Sequence, residues 1–276
     1  MCSEEENKVP LFSGSYEGSS FFELLRHDFP HLLPFQHLHH VPQLAASESR
    51  LTEAVPFATT VLALRFADGV VMAGDRQATE GFEISSRRIE KVYKADDYSV
   101  IAMAGAAGPC LEMMRLFQVE MEHYHKIEGE TLALDGKANK LAQMVKQNLP
   151  AAFHGLVVIP IFAGYDLRQH QGRIFKYDVT GGRYEELQFY ATGSGGKEAR
   201  STLKKFFKAD MTREAALALA LEALVDAADV DVGTSGPDLV RGIYPVVKMV
   251  TCNGVADVAD DELRPLSERL IAALQG

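Results

Sequence analysis

Two threonines, a carboxylate and a lysine stand where nucleophilic chemistry would need them. Thr59 and Thr60 open an apolar run that continues to Phe66, and Asp75 closes a second run that begins at Val70. Lys91 follows in Arg87-Arg88-Ile89-Glu90-Lys91-Val92-Tyr93, and a glycine-rich turn, Met103-Ala104-Gly105-Ala106-Ala107-Gly108, closes a third run begun at Tyr98. A threonine hydroxyl is a weak nucleophile and must be activated by a base or by a change in its surroundings. When the threonine is also a chain terminus, its own α-amine, with an ordinary pKa of roughly 7.7 to 8.0, can serve as that base. Taken without such partners, two threonines at a strand start express β-propensity and nothing more. Successive side chains of a strand point to opposite faces, so only one of the two hydroxyls can face Asp75 and Lys91.

Further stretches extend the pattern: Gly69 to Arg76, Arg88 to Tyr93, Ala163-Gly164-Tyr165-Asp166, Gly193-Ser194-Gly195 and Gly236 to Ile243. With Thr59 to Leu64 and Met103 to Gly105 they run in order from about residue 57 to 255, and on them the chain resembles a proteasome β subunit of the actinobacterial kind. The resemblance implies an N-terminal nucleophile hydrolase of threonine type, made as a precursor and cut between Ala58 and Thr59. Residues 1–58 would be a propeptide and 59–276 the catalytic domain. Thr59 would supply both the attacking Oγ and, through its amine, the general base. Lys91, as a neighbouring cation, would favour the deprotonated amine and the alkoxide. Asp75 would hold the lysine ammonium in place, and the Gly105 N–H would donate to the developing oxyanion. Ser194, Asp231 and Thr234 fall where the family places an acid and hydroxyls around the threonine amine; the same residue types also favour turns. By family position the substrate pocket is lined by Ala78, Ile89, Met103 and Ala107, with Leu111 beside them. That is an apolar, uncharged pocket, suited to cleavage after hydrophobic residues.

The implied fold is α+β, a four-layer αββα sandwich of two antiparallel sheets flanked by helices. The implied partners are proteasome α subunits and other β subunits in seven-membered rings, two β rings between two α rings. A ring ATPase would act through the α ring to unfold tagged protein substrates. No cofactor, nucleic acid or membrane enters this reading. Two departures stand out: Ala58 where the family usually has glycine, and Gln77 where a second arginine often follows Arg76. The first puts a Cβ into the turn through which Thr59 must attack, and the second removes a group that helps to order the site. They support an alternative, a catalytically silent β-type subunit paired with an active paralogue. A stand-alone amidohydrolase of the same fold is a third reading.

The elements that must carry these groups are legible as apolar periodicity. Asp68-Gly69 between the first two runs marks a hairpin. Leu111, Met114, Leu116, Phe117, Met121 and Tyr124 predict a helix over 109–127, stopped at Gly129, and Leu141, Met144, Val145 and Leu149 a second from about Lys137. Met113, Met114, Met121 and Met144 read as packing. Leu156 to Gly164 predicts a buried strand with Pro160 as an irregularity, and 173–178 and 185–191 predict two more around Thr180-Gly181-Gly182. Helices are expected over 197–208, 213–226 and 260–274, and a hairpin over 246–258 around Asn253-Gly254. Strands grouped between helix pairs exclude the βαβ alternation of a parallel sheet and suit two antiparallel sheets packed face to face.

With 276 residues, 47% of them hydrophobic, the chain can bury a full core as one domain plus an extension. A net charge of −10 argues against nucleic acid as the main partner. Three cysteines, Cys2, Cys110 and Cys252, are odd in number and sparse, which fits a reduced cytoplasmic setting. No apolar run reaches the length of a membrane span, and the start, Cys2-Ser3-Glu4-Glu5-Glu6, is acidic where a secretion signal is basic. Residues 1–58 carry eight acidic and three basic residues. Apolar clusters at 21–25 and 32–35 sit among Ser, Gly and Pro, as in a segment that docks on another surface. His37, His39 and His40 have no cysteine or paired carboxylate at ligand spacing, so no metal is expected there.

Overall fold

The computed structural model describes residues 59–80 and 83–275. The expected propeptide, with Ala58 and the three histidines, lies outside the described residues.

Two five-stranded antiparallel sheets form the centre. One runs β10-β1-β2-β11-β12, from β1 (Thr60–Phe66), β2 (Gly69–Gly74), β10 (Phe189–Gly193), β11 (Val246–Thr251) and β12 (Gly254–Asp257). The other runs β5-β6-β7-β8-β9, from β5 (Val92–Asp96), β6 (Ser99–Gly105), β7 (Val158–Asp166), β8 (Gln171–Tyr177) and β9 (Arg183–Glu186). A small hairpin, β3 (Ala78–Glu80) and β4 (Glu83–Ser86), stands apart. The helices are α1 (Ala107–Glu128), α2 (Leu134–Gln147), the single turn α3 (Leu149–Ala152), α4 (Gly196–Phe206), α5 (Arg213–Val230) and α6 (Asp260–Gln275).

Side-chain alternation sorts each strand between two cores. In β1, Leu62, Leu64 and Phe66 face one cluster with Ala220, Leu221 and Leu224 of α5, while Val61 and Ala63 face a second cluster with Val100, Ala102 and Ile161 of the other sheet. In β6, Ile101 and Met103 turn outward to a third cluster with Met114 and Phe117 of α1 and Leu141 of α2. Three cores between four layers make the αββα sandwich. A strand buried on both faces reads as an unbroken apolar run, which is why β1, β2, β6 and β7 show little polar alternation. Each large side chain so buried contributes roughly 1.5 to 3 kcal/mol. The four methionines read as packing all lie buried in the third cluster.

Several expectations shift. The hairpin between β1 and β2 is where Asp68-Gly69 places it, but Phe66 pairs with Gly69, so the turn residues are Ala67 and Asp68. Neither has a positive φ, which excludes the primed turn that an Asp-Gly signal implies. The single strand expected over 185–191 is two: β9 pairs with β8 in one sheet and β10 with β1 in the other, and the chain passes between sheets at Leu187-Gln188. Pro160 lies inside β7, opposite Met103 of β6, where β8 has not yet begun to pair; that pairing starts at Ile161. Helix α2 begins at Leu134, ahead of Lys137, and α5 runs on to Val230.

Candidate active site

The expected site residues gather at one end of the two sheets. Thr59 immediately precedes β1 and Asp75 follows β2, its antiparallel neighbour; Gly193 closes β10, whose register sets it opposite Thr60. On the other sheet Lys91 precedes β5 and Gly105 ends β6. Ser194 lies between β10 and α4, and Asp231 caps the C-terminus of α5, with Thr234 three residues on.

Asp75 is fully buried and accepts from four donors. Its Oδ1 receives the Thr60 N–H at 2.9 Å and the Lys91 ammonium at 2.7 Å; its Oδ2 receives the N–H of Gln77 at 2.9 Å and of Ser235 at 3.3 Å. Lys91 is 6% exposed, so the pair is a true interior salt bridge. Burial pulls the lysine below its ordinary value of 10.5, and the Asp75 carboxylate opposes that shift. The carboxylate thus fixes the lysine and also fixes where β1 starts.

A second carboxylate serves the nitrogen of Thr59. The Thr59 N–H donates to Ser194 Oγ at 3.3 Å, and Ser194 Oγ donates to Asp231 Oδ2 at 2.5 Å. Thr234 Oγ1 donates to the same oxygen. The Ser194 N–H returns to the Thr59 carbonyl at 2.9 Å. Gly193 makes this approach possible: its φ is +102° and a Cβ there would fall 1.8 Å from the Thr59 carbonyl oxygen.

Gly105 has a φ of +132°, and a Cβ on it would fall 2.0 Å from the Val157 carbonyl oxygen. The Met103 N–H donates across to Lys91, whereas the Ala106 N–H donates to Val157 on the opposite side. Alternation along the strand therefore puts the Gly105 N–H on the Lys91 edge. Gly105→Ala is expected to cost roughly 1 to 3 kcal/mol in backbone strain alone and to depress hydrolysis with it. Thermal unfolding of the variant checks this, and an unchanged midpoint would contradict it.

Thr59, Lys91 and Gly105 line one pocket of about 120 Å³ with Ala78, Ile89, Met103, Ala107 and Leu111. Every residue expected in the pocket wall is there. The wall is not free of charge or polarity, however: Glu90 and Lys91 belong to it, as do Gln77, Thr79, Tyr93 and Cys110. Burial pushes the Cys110 thiol up to about 12, so it stays protonated and unreactive.

Gln77, which stands where the family often has a second arginine, makes bonds of its own. Its backbone N–H binds Asp75 and its side-chain amide donates to the Val232 carbonyl at 2.7 Å, tying the Asp75 loop to the Asp231 loop. Arg76 adds a bond of 2.7 Å to the Tyr244 carbonyl. Thr79 went unnoticed in the sequence; its Oγ1 is buried and without a hydrogen-bond partner among the described residues. A polar residue in a short strand beside Ala78 was its only signal. Among the described residues no three His, Cys, Asp or Glu side chains gather as a metal site, and no helix is long and apolar enough to cross a membrane.

Residues 55–240 match the family model described as Proteasome subunit. The Proteasome subunit beta of Acidimicrobium ferrooxidans is 47% identical over 268 residues, which cover 97% of this chain and 94% of that protein. Those of Acidothermus cellulolyticus and Frankia casuarinae are 50% and 49% identical, over 92% of this chain and 87% and 90% of their own. With the αββα sandwich, the family-model match and this extent of identity, the chain belongs to the proteasome family as a β subunit of the 20S core, in the threonine peptidase class.

Proposed function

We propose that the chain is an active threonine endopeptidase, made as a precursor and cut between Ala58 and Thr59. The observation that carries this is the Thr59 nitrogen on Ser194, itself bonded to Asp231, with Thr59 in the pocket wall beside Lys91 and Gly105. In the uncut chain that nitrogen is a peptide amide and is not basic. Cleavage converts it into an amine already held by its partners.

The amine takes the Oγ proton as Oγ attacks the substrate carbonyl, and the oxyanion so formed lies on the Gly105 N–H. The ammonium returns the proton to the leaving amine, the C–N bond breaks, and an ester remains on Thr59. Water, deprotonated by the same amine, hydrolyses the ester. Lys91 lowers the proton affinity of amine and alkoxide by its charge, and Asp75 keeps it there. Self-cleavage uses the same Oγ on the Ala58 carbonyl. The mostly apolar wall of Ile89, Met103, Ala107 and Leu111 supports cleavage after hydrophobic residues, with broad selectivity, since one methylene changes binding by only about 1 to 3 kcal/mol.

As a proteasome subunit the chain assembles into particles with other subunits. The proposed arrangement is two seven-membered β rings between two α rings, fed by a ring ATPase, in the cytoplasm.

The second reading, a silent subunit, rests on Ala58, since the Gln77 bonds answer the other objection. Intact mass of the assembled subunit separates the two: loss of residues 1–58 is expected, and retention after assembly would favour the silent subunit. Where self-cleavage passes through a left-handed turn, alanine is disfavoured against glycine by roughly 1 to 2 kcal/mol. Ala58→Gly should therefore speed processing about five- to thirtyfold, followed by the same mass measurement over time. Equal rates would show that Cβ strain does not limit the cut.

A further inference from the structure

The residue after the nucleophile is as tightly held as the nucleophile itself. Thr60 is completely buried, its N–H is bound to Asp75, and its Oγ1 accepts the Gly195 N–H at 3.0 Å and lies 2.6 Å from Thr234 Oγ1. The direction of that last bond is determined. A carboxylate only accepts, so Thr234 gives its single proton to Asp231 and must accept from Thr60. Two arms therefore converge on Asp231 Oδ2: Thr60 to Thr234 to Asp231, and Thr59 nitrogen to Ser194 to Asp231.

A role in packing alone does not account for the hydroxyl. Valine fills the same shape with equal or better β-propensity and without a polar group to bury. Moreover, Gly195 adjoins Ser194, so the Thr60 hydroxyl holds both the turn that carries Ser194 and the turn that carries Asp231.

We infer that Thr60 is a positioning residue for the peptidase reaction: its hydroxyl, donating to Thr234 and accepting from Gly195, fixes Asp231 and Ser194 against the Thr59 amine. The inference rests on the peptidase reading proposed above. It concerns a group that never touches substrate.

The test uses full-length chain assembled with its partner subunits into particles, unsubstituted and carrying Thr60→Val, which removes the hydroxyl, or Thr60→Ser, which keeps it. Turnover of a short fluorogenic peptide gives kcat and KM separately. Thr60→Val is expected to lower kcat at least fivefold with KM within twofold, because the pocket is untouched, and Thr60→Ser is expected to retain at least half of the original kcat. A smaller loss in Thr60→Val, or an equal loss in Thr60→Ser, would overturn the inference. Thr60→Ala, judged by the same threshold, replaces the valine variant if that variant does not assemble. An inactive unsubstituted particle would overturn the peptidase reading and this inference with it, whereas an active one with an unaffected Thr60→Val variant would overturn this inference alone.

Discussion

Particles built from Thr59→Ala chains are expected to hydrolyse peptides at least about 10⁴-fold more slowly than unsubstituted ones, because nucleophile and acceptor of its proton belong to one residue. The substitution removes the hydroxyl while leaving the backbone nitrogen on Ser194 and the carbonyl under the Ser194 N–H, so assembly should be unchanged. It also disables self-cleavage, and a retained leader would itself mask the site. The decisive comparison therefore uses a Thr59→Ala chain whose leader is released by an added protease at an engineered sequence. Turnover within tenfold of the unsubstituted particle would remove Thr59 from the mechanism.

Lys91→Ala is expected to cost about 10³-fold in kcat, the upper end of the loss seen when one preorganised electrostatic group is removed from a reacting centre. The structure also bounds its effect on stability. Removing one partner of a buried ion pair typically costs about 3 to 5 kcal/mol, because the other charge is left uncompensated. Here Asp75 keeps three backbone N–H donors, from Thr60, Gln77 and Ser235, so the loss should fall below that range and the particle should still assemble. Lys91→Arg should not restore activity, since a planar guanidinium cannot replace a compact ammonium in so buried a contact. Single-turnover kinetics on processed particles, with thermal unfolding alongside, measures both quantities. Activity within tenfold of the original would mean that no cation is required.

Much of this was legible from the chain because each group sits at the end of a strongly patterned element. The unbroken apolar runs of β1, β2 and β6 signal strands covered on both faces, and Thr59, Asp75 and Gly105 lie at their ends. The helix faces of α1 and α2 carry a 3.6-residue period that survives in the third core, except that Leu116, expected on the α1 face, is exposed. What was not legible depends on partners far away in sequence. Gln77 looked like a loss because its amide meets Val232, 155 residues on, and Thr60 looked like a strand former because its hydroxyl meets Thr234, 174 residues on. The crossing from β9 to β10 has no glycine or proline to announce it; Leu187-Gln188 continues an ordinary strand pattern, and only the pairing with β8 and β1 divides it. The hairpin of β3 and β4, three and four residues long, is too short to show a period.

Ions in the solvent reach only what the solvent reaches. Screening acts strongly on pairs such as Lys126 with Glu122, both well exposed, and weakly on one closed off within the fold, as Lys91 and Asp75 are. A change in ionic strength thus leaves the charges behind the chemistry much as they were, and what it alters lies among the exposed pairs on the surface of the chain.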